Sequence, residues 1–198
     1  MSVAFRPFAK DWYINNKIMD DFIQDMLDAA KLDREFDIPY LAGYSKSGKK
    51  FYIDFDMPKG YINKVNKFIP TDKYLMVHEF IEKTLEEQFL KKGIDVPYQI
   101  CHQVALRVER LAVENDGNDW NEYNRFMMKE VEKIGSRKDY TNVPKDLDLK
   151  PYYDEKDEAT LKKMHAESLE NVDVVLSETL ELLPWLLKGL TSKENVVE

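Results

Sequence analysis

The chain has 198 residues, which is enough for one good-sized domain with a hydrophobic core. Its hydrophobic content of 43% and its charged content of 33% are the balance of an ordinary soluble globular protein. The formal net charge of −8 repels phosphate backbones, so we expect no nucleic-acid partner.

The cysteine content and the hydropathy pattern indicate a cellular compartment. Cys101 is the single cysteine, so an intrachain disulfide is excluded and a reducing environment is expected. The sequence has no apolar run of about eighteen residues, the length that a membrane-spanning helix requires. The residues after Met1 do not form the basic and apolar regions of a signal peptide. We therefore expect a cytoplasmic protein without a membrane partner.

The first third of the chain is predicted to contain one helix and one β-hairpin. Residues 12–32 show apolar side chains at helical steps of three and four. Residues 40–44 and 50–56 are β-type runs joined by a short polar loop that contains a glycine, which predicts a hairpin. Asp54 and Asp56 alternate with the apolar residues of the second run, so we expect them to face solvent. Residues 57–70, which contain two prolines, are predicted to form a loop.

The chain then becomes helical, and three helices are predicted in succession: 71–92, 97–114 and 119–135. Gly93 follows the first helix as a C-terminal stop. Asp119 and Glu122 have the spacing of a capping box at the start of the third. The third helix carries an apolar stripe that we expect to pack in the core rather than bind a ligand: Trp120, Tyr123, Phe126 and Met127.

The last quarter of the chain is predicted to be a surface strap followed by two helical stretches. Residues 136–156 are rich in Asp, Lys, Pro and Tyr, which is typical of an irregular connection. Helical patterns follow at about 156–170 and 173–190, and Pro184 should kink or end the second of them.

These elements predict an α+β fold that is mostly α: a helical bundle beside a small β-hairpin. We expect a single domain over residues 1–170, with the hairpin at about 40–56. Residues 171–198 are predicted to form a C-terminal helix, which is strongly apolar over 172–190. It either packs on this domain or serves as a homo-oligomer interface.

The first motif whose side chains suit metal binding or catalysis lies in the helix predicted over 71–92. His78 and Glu82 are four residues apart, so a helix places both side chains on one face, one turn apart. Leu75 and Leu85 belong to the same stripe, which puts the two polar residues at the edge of the buried face. The remaining charged residues of the helix, including Glu86, are expected to point elsewhere.

The second motif lies in the next helix, whose polar residues occupy one narrow solvent arc that includes Gln99. His102 and Glu109 are exceptions, because they stand within the apolar arc, two helical turns apart. An ionised carboxylate buried without a partner is costly, so Glu109 needs positive charge inside the fold. The short link from Gly93 to Pro97 makes the two helices antiparallel neighbours.

Two imidazoles and two carboxylates are therefore expected to converge between the two helices: His78, Glu82, His102 and Glu109. Such a set can hold a divalent metal ion, most plausibly zinc, with Glu109 as fourth ligand or as hydrogen-bond partner of a histidine. The alternative is a metal-free network of hydrogen bonds between the histidines and the carboxylates.

The segment His78-Glu79-x-x-Glu82 resembles the H-E-x-x-H helix of zincin metallopeptidases, with a glutamate where the family has its second histidine. The resemblance implies that His78 is a metal ligand and that Glu79 is the general base that activates water. It also implies that His102 or Glu109 is the downstream ligand, and that the α+β fold has a minimal zincin-like layout. Glutamate is itself a zinc ligand in proteins, so the departure at Glu82 preserves a possible site.

A longer string of motifs covers roughly residues 40–165. Its members are Tyr52-Ile53-Asp54, Val77-His78-Glu79-x-x-Glu82, Tyr98-x-x-x-His102-x-x-Ala105-x-x-x-Glu109 and Val143-Pro144-x-Asp146-Leu147-Asp148-Leu149-x-Pro151-Tyr152. This string resembles a family of functionally uncharacterised proteins of bacteriophages and prophages. The resemblance implies a location in a bacterial host cell, and it carries no activity over to this chain.

The sequence leaves three functional hypotheses open. The first is a metal-dependent hydrolase of metallopeptidase-like type, with Glu79 as its base and an unknown substrate. The second is a non-catalytic protein in which the histidines and glutamates bind a structural metal or pair with each other. The third is a phage accessory protein that acts by protein–protein contact through its C-terminal helix.

Overall fold

The computed structural model describes residues 16–38, 40–91, 93, 98–135 and 140–150. The helices are α1 (Asn16–Ala29), α2 (Asp72–Lys91), α3 (Tyr98–Asn115) and α4 (Trp120–Gly135). The strands are β1 (Lys31–Asp33), β2 (Ala42–Tyr44), β3 (Lys50–Ile53), β4 (Gly60–Ile62) and β5 (Phe68–Pro70). The prediction of a mainly helical α+β fold is confirmed. The helices expected at 156–170, 173–190 and 171–198 lie outside the described residues.

The predicted β-hairpin is confirmed and belongs to a three-stranded sheet. Strand β3 lies in the centre, with β2 antiparallel on one side and β1 parallel on the other. Strand β1 occupies residues that were predicted as the end of the first helix, so that part of the prediction is wrong. Leu32 pairs with Phe51 of β3, and this long-range pairing overrides the local helical pattern.

The prediction of a loop over residues 57–70 is also wrong, because β4 and β5 form a second hairpin there. The oxygen of the Asn63 side chain accepts hydrogen bonds from the N–H groups of Val65 and Lys67, which closes the turn. Gly60 allows the close approach of the two strands, since a Cβ atom at this position would collide with the carbonyl oxygen of Ile69.

Helices α2 and α3 form the centre of the fold. Three side-chain contacts step along the pair in opposite directions: Tyr74 with Asp116, His78 with Glu109, and Glu82 with His102. The two helices are therefore antiparallel, as the short connection after Gly93 predicts. Strands β2 and β3 and helix α1 pack on α2, and α4 packs on α3. None of the helices in the described ranges has the length and apolar character needed to cross a bilayer.

Helix α4 begins as a capped helix and packs as predicted. The Asp119 carboxylate accepts hydrogen bonds from the N–H groups of Asn121 and Glu122. The Glu122 carboxylate does not complete the capping box; it accepts a hydrogen bond from the N–H of Lys64 instead. Tyr123 and Met127 are buried, and Trp120 and Phe126 pack against the same core, so the apolar stripe is confirmed as core packing.

The expectation that Asp54 faces solvent is wrong. Its side chain is fully buried and accepts hydrogen bonds from the N–H groups of Ile38 and Asp56, each at 2.9 Å. Strand β3 ends at Ile53, so the alternation of inward and outward side chains stops before this residue. Asp54 thus stabilises the turn that leaves the sheet.

The described part of the predicted strap, residues 140–150, follows the outer edge of β2. The N–H of Lys46 donates to the carbonyl of Asp146 at 2.8 Å, and the N–H of Asp148 donates to the carbonyl of Tyr44 at 2.9 Å. Leu147 is buried beneath this contact. The strap therefore covers the edge of the sheet, which would otherwise expose unpaired backbone groups.

Two residues assigned to solvent faces are buried. Gln99 in the first turn of α3 is only 7% exposed, and Glu86 in α2 is only 8% exposed. Burial raises the pKa of Glu86 to about 7, although the charges of Lys150 and Lys83 act against this rise. The helical periodicity of α2 could not reveal this environment, because Asp148 and Lys150, whose charges act on Glu86, lie more than sixty residues further along the chain.

The burial of Glu86 predicts a pH-dependent stability. Its folded pKa of about 7 lies above the ordinary value of 4.5, so the native state keeps a proton that the unfolded chain loses between these values. The free energy of unfolding should therefore fall as the pH rises from about 4.5 to about 7. Glu86→Gln removes this penalty, and we expect it to stabilise the protein at pH 8 by up to about 3 kcal/mol and much less at pH 4.

Urea denaturation at the two pH values measures this difference. Glu87→Gln is the matched control, because the Glu87 side chain is 41% exposed and should change stability by less than about 0.5 kcal/mol. An equal effect of Glu86→Gln at both pH values would contradict a buried, protonated Glu86.

Candidate metal centre

The structure brings the four predicted residues together between α2 and α3. His78 and Glu82 lie one turn apart on α2, and both side chains are buried. His102 and Glu109 face them from α3, two turns apart, and Glu109 is also buried. The antiparallel pairing produces this convergence, because His78 meets Glu109 in the second half of α3, and Glu82, one turn further along α2, meets His102 near the start of α3.

Three of these residues direct one donor atom each toward a common point. His78 Nε2 lies 3.1 Å from His102 Nδ1, and Glu82 Oε2 lies 3.1 Å from His102 Nδ1 and 3.4 Å from His78 Nε2. Ligand atoms around a tetrahedral zinc ion with bonds of about 2.0–2.1 Å are about 3.3–3.4 Å apart. The three donor atoms therefore fit one face of such a tetrahedron.

Glu109 lies on the opposite side of the His78 ring. Its Oε2 is 2.9 Å from His78 Nδ1, while its Oε1 accepts a hydrogen bond of 2.6 Å from the hydroxyl of Tyr123. When His78 Nδ1 carries the proton and donates it to Glu109, the lone pair of Nε2 points toward His102 and Glu82. Of the two roles expected for Glu109, this geometry matches the hydrogen-bond partner that orients a histidine ligand.

The buried charges depend on one another. Burial raises the pKa of Glu82, but hydrogen bonds to His102 and His78 outweigh it and lower the pKa to about 2. Burial lowers the pKa of His78, but hydrogen bonds to Glu109 and Glu82 raise it well above its ordinary value. Glu82 is therefore ionised at neutral pH, and the site attracts positive charge, either as a proton on His78 or as a metal cation.

Glu79 lies beside the three donors. It is 9% exposed, and burial, followed by the charge of Glu82, raises its pKa well above the ordinary range. The His78 charge acts in the opposite direction. Glu79 is thus a buried carboxyl group at the same site, in an environment that favours its protonated form.

Two tyrosines belong to the site and were not predicted as site residues. The Tyr98 hydroxyl is 3.2 Å from His102 Nδ1, and the Tyr123 hydroxyl bonds Glu109. The sequence could have indicated Tyr98 as a site residue, because it lies one helical turn before His102 and a helix places the two side chains together. The sequence could not have indicated Tyr123, because it belongs to an apolar stripe that predicts only core packing.

A central cavity of about 420 Å³ lies next to the three donors, among α2, α3, α4 and β2. Its lining includes all three donor residues and Glu79, and also Tyr98, Gln99, Glu109 and Tyr123. The His102 side chain is 40% exposed, whereas those of His78 and Glu82 are 9% and 2% exposed. His102 is therefore the most exposed of the three donor residues.

Comparisons with protein-family models, with curated proteins and with solved structures found no match. The functional interpretation consequently depends on the residues themselves. Among the described residues, His78, Glu82 and His102 are the group of His, Cys, Asp and Glu whose geometry suits a metal ion. An imidazole pair with one carboxylate is an established ligand set for catalytic zinc.

The Tyr123 hydroxyl predicts a measurable contribution to stability. Tyr123→Phe leaves the buried Oε1 of Glu109 without this donor, and we expect a loss of about 1–3 kcal/mol in the free energy of unfolding. Chemical denaturation of the metal-free protein measures it. Tyr61→Phe is the matched control, because Tyr61 is half-buried and stacks on Phe126. Equal losses in both variants would show that the bond to Glu109 does not contribute.

Proposed function

We propose that this chain binds one divalent metal ion, zinc, through His78, Glu82 and His102, and that it is a metal-dependent hydrolase of metallopeptidase-like type. The observation that carries the proposal is the spacing of the three donor atoms at 3.1–3.4 Å. Nitrogen and carboxylate donors at this spacing suit zinc, which accepts both.

The position of Glu109 supports a catalytic rather than a structural site. Structural zinc sites are closed by four protein ligands, whereas catalytic sites have three and keep one position open. Among the described residues three donors converge, and Glu109 bonds the other nitrogen of His78. The three donor residues line the central cavity, so a metal ion held by them would be next to the space available to a substrate.

The residues of the chain then have separate roles. Bound zinc supplies Lewis-acid chemistry that polarises a carbonyl group. Glu79 takes a proton from the attacking water and delivers it to the leaving group. Glu79 lines the same cavity as the donors, which suits this role because a general base must lie within reach of the water. A metal cation beside Glu79 would favour the ionised carboxylate that accepts the proton. Glu109 and Tyr123 keep the His78 ring in the orientation that directs Nε2 to the site.

One observation favours a second candidate function. Each histidine already has a carboxylate partner within hydrogen-bond distance, at 2.9 Å for His78 with Glu109 and 3.1 Å for His102 with Glu82. The cluster can therefore be a metal-free network that stabilises the α2–α3 pair. The protein would then be a non-catalytic phage accessory protein that acts by protein–protein contact. The C-terminal segment proposed for that contact lies outside the described residues.

The proposed compartment is the cytoplasm of a bacterial host cell. Cys101 is a free, buried thiol, which suits a reducing environment. The phage-type motif string supports the same location.

Metal content tests the metal-binding part of the proposal. Protein purified without added ions should contain about one zinc per chain, and zinc at a hundredfold excess over its Kd should stabilise it by about 2.7 kcal/mol. His102→Ala should weaken zinc binding at least tenfold, because a direct ligand contributes no less than the residues that orient it. Gln103→Ala, on the adjacent exposed position, should bind zinc normally.

Metal analysis and thermal denaturation give the two readouts. If neither wild type nor His102→Ala contains zinc, and zinc stabilises neither, the metal-free network is the correct interpretation.

The catalytic role of Glu79 is tested separately. Glu79→Gln should retain zinc but lose hydrolytic activity by about 100-fold or more, because proton transfer by a positioned side chain contributes about 10²–10⁴-fold. Release of fluorescent peptides from a mixed-sequence library by the zinc-loaded protein measures this loss. Glu87→Gln, on the same helix and partly exposed, should keep full activity. Zinc-loaded Glu79→Gln with wild-type activity would remove Glu79 from the mechanism.

A further inference from the structure

Polar and apolar residues both line the central cavity. The polar ones include the donor residues and Glu79, together with Gln103 of α3 and Asn124 of α4. The apolar part of the lining, called here the apolar wall, includes side chains from α4, α3 and the segment around β2: Leu41, Leu106, Trp120, Met127, Met128 and Val131. A molecule that places a reacting bond at the donors must therefore extend its neighbouring atoms along apolar side chains.

The charges around the cavity restrict what can enter it. Among its described lining residues there is no lysine or arginine, while four carboxylate residues contribute to the lining: Glu79, Glu82, Glu109 and Asp148. A phosphate or carboxylate group in the apolar part would be desolvated without a cationic partner there. An uncharged group avoids this cost. The lining thus favours an uncharged group in the apolar part of the cavity.

The apolar wall is accessible to a ligand. Met128 is 57% exposed and Val131 is 38% exposed, so both retain surface that a bound molecule can cover. The volume of about 420 Å³ is within the range of small-ligand pockets and is large enough for an aromatic ring with its linker. Methionine side chains adapt to ligands of different shape, so Met127 and Met128 suit a variable apolar partner.

We infer that the substrate carries an uncharged apolar group, about the size of an aromatic side chain, next to the bond that is hydrolysed. This group enters the cavity between β2 and α4, with Met128 and Val131 against it. The inference names the substrate class of the proposed hydrolase, and its statement about a hydrolysed bond rests on that proposed function. Its statement about an apolar group depends only on the residues that line the cavity.

Hydroxamates test this assignment without requiring turnover, because they chelate zinc and can carry different tails. We expect 3-phenylpropanohydroxamate to bind the zinc-loaded protein at least tenfold more tightly than acetohydroxamate, since each buried methylene contributes about fourfold. The monohydroxamate of succinic acid, with an anionic tail, should bind no more tightly than acetohydroxamate. Calorimetric titration measures all three.

Two variants locate the tail. Val131→Trp fills the cavity and Met128→Gln makes its wall polar, so each should reduce the preference for the phenyl tail at least threefold while acetohydroxamate binding stays the same. Val65→Gln is the matched control, because Val65 is 78% exposed and does not line the cavity. It should keep the full preference.

A second probe makes the test independent of zinc. N-Phenyl-1-naphthylamine, an uncharged fluorophore, should bind the metal-free protein with enhanced emission, and Val131→Trp should weaken this binding. Failure of acetohydroxamate to bind would count against the proposed function, and the fluorophore would still decide on the cavity. Equal binding of the phenyl and methyl hydroxamates, or unchanged fluorophore binding in Val131→Trp, would overturn the apolar assignment.

Discussion

The contact between His78 and its two carboxylate neighbours is the constraint on which the rest of the structure depends. Glu109 holds one nitrogen of the ring, and Glu82 lies near the other. An ionised carboxylate buried between helices destabilises a fold unless positive charge lies beside it. Helices α2 and α3 can therefore pack closely only in the register that places His78 between these two glutamates. Any slip by one turn would leave a buried charge without its partner.

The surrounding elements bury this cluster on one side and leave it exposed to the central cavity on the other. Tyr123 of α4 closes the site behind Glu109, and its hydroxyl satisfies the second oxygen of that carboxylate. The strap over residues 140–150 covers the edge of β2 and reaches α2 through the ion pair of Lys83 with Asp148, at 3.1 Å. Of the three donor residues, only His102 has a substantially exposed side chain, and all three line the central cavity. Charge interactions inside such a site are stronger than in water, which favours both metal binding and acid–base chemistry.

Sequence spacing predicted the parts of the site that local periodicity determines. His78 and Glu82 share a helical face by their spacing alone, and His102 and Glu109 interrupt an apolar arc. The short connection after Gly93 predicts that the two helices are neighbours, and therefore that the two pairs meet. The role of Glu109 required the structure, because spacing in the sequence cannot show which nitrogen of a histidine a carboxylate contacts.

The remaining differences arise from long-range contacts that a local pattern does not contain. Strand β1 has three residues, too few for alternation, and it exists because β3 lies beside it. The β4–β5 hairpin is similarly short. Glu86 and Gln99 are polar residues that are buried, although the helical pattern predicts that they point away from the core. Tyr123 is hidden within an apolar stripe, since a tyrosine can pack its ring in the core and still donate a hydrogen bond.

Anomalous diffraction at the zinc edge, on crystals of the metal-loaded protein, tests the central claim most directly. The account predicts a single peak between α2 and α3, about 2.0–2.2 Å from His78 Nε2, His102 Nδ1 and Glu82 Oε2. Glu109 should remain bonded to His78 Nδ1. A peak elsewhere on the surface, with the histidines and glutamates still paired only with each other, would contradict it.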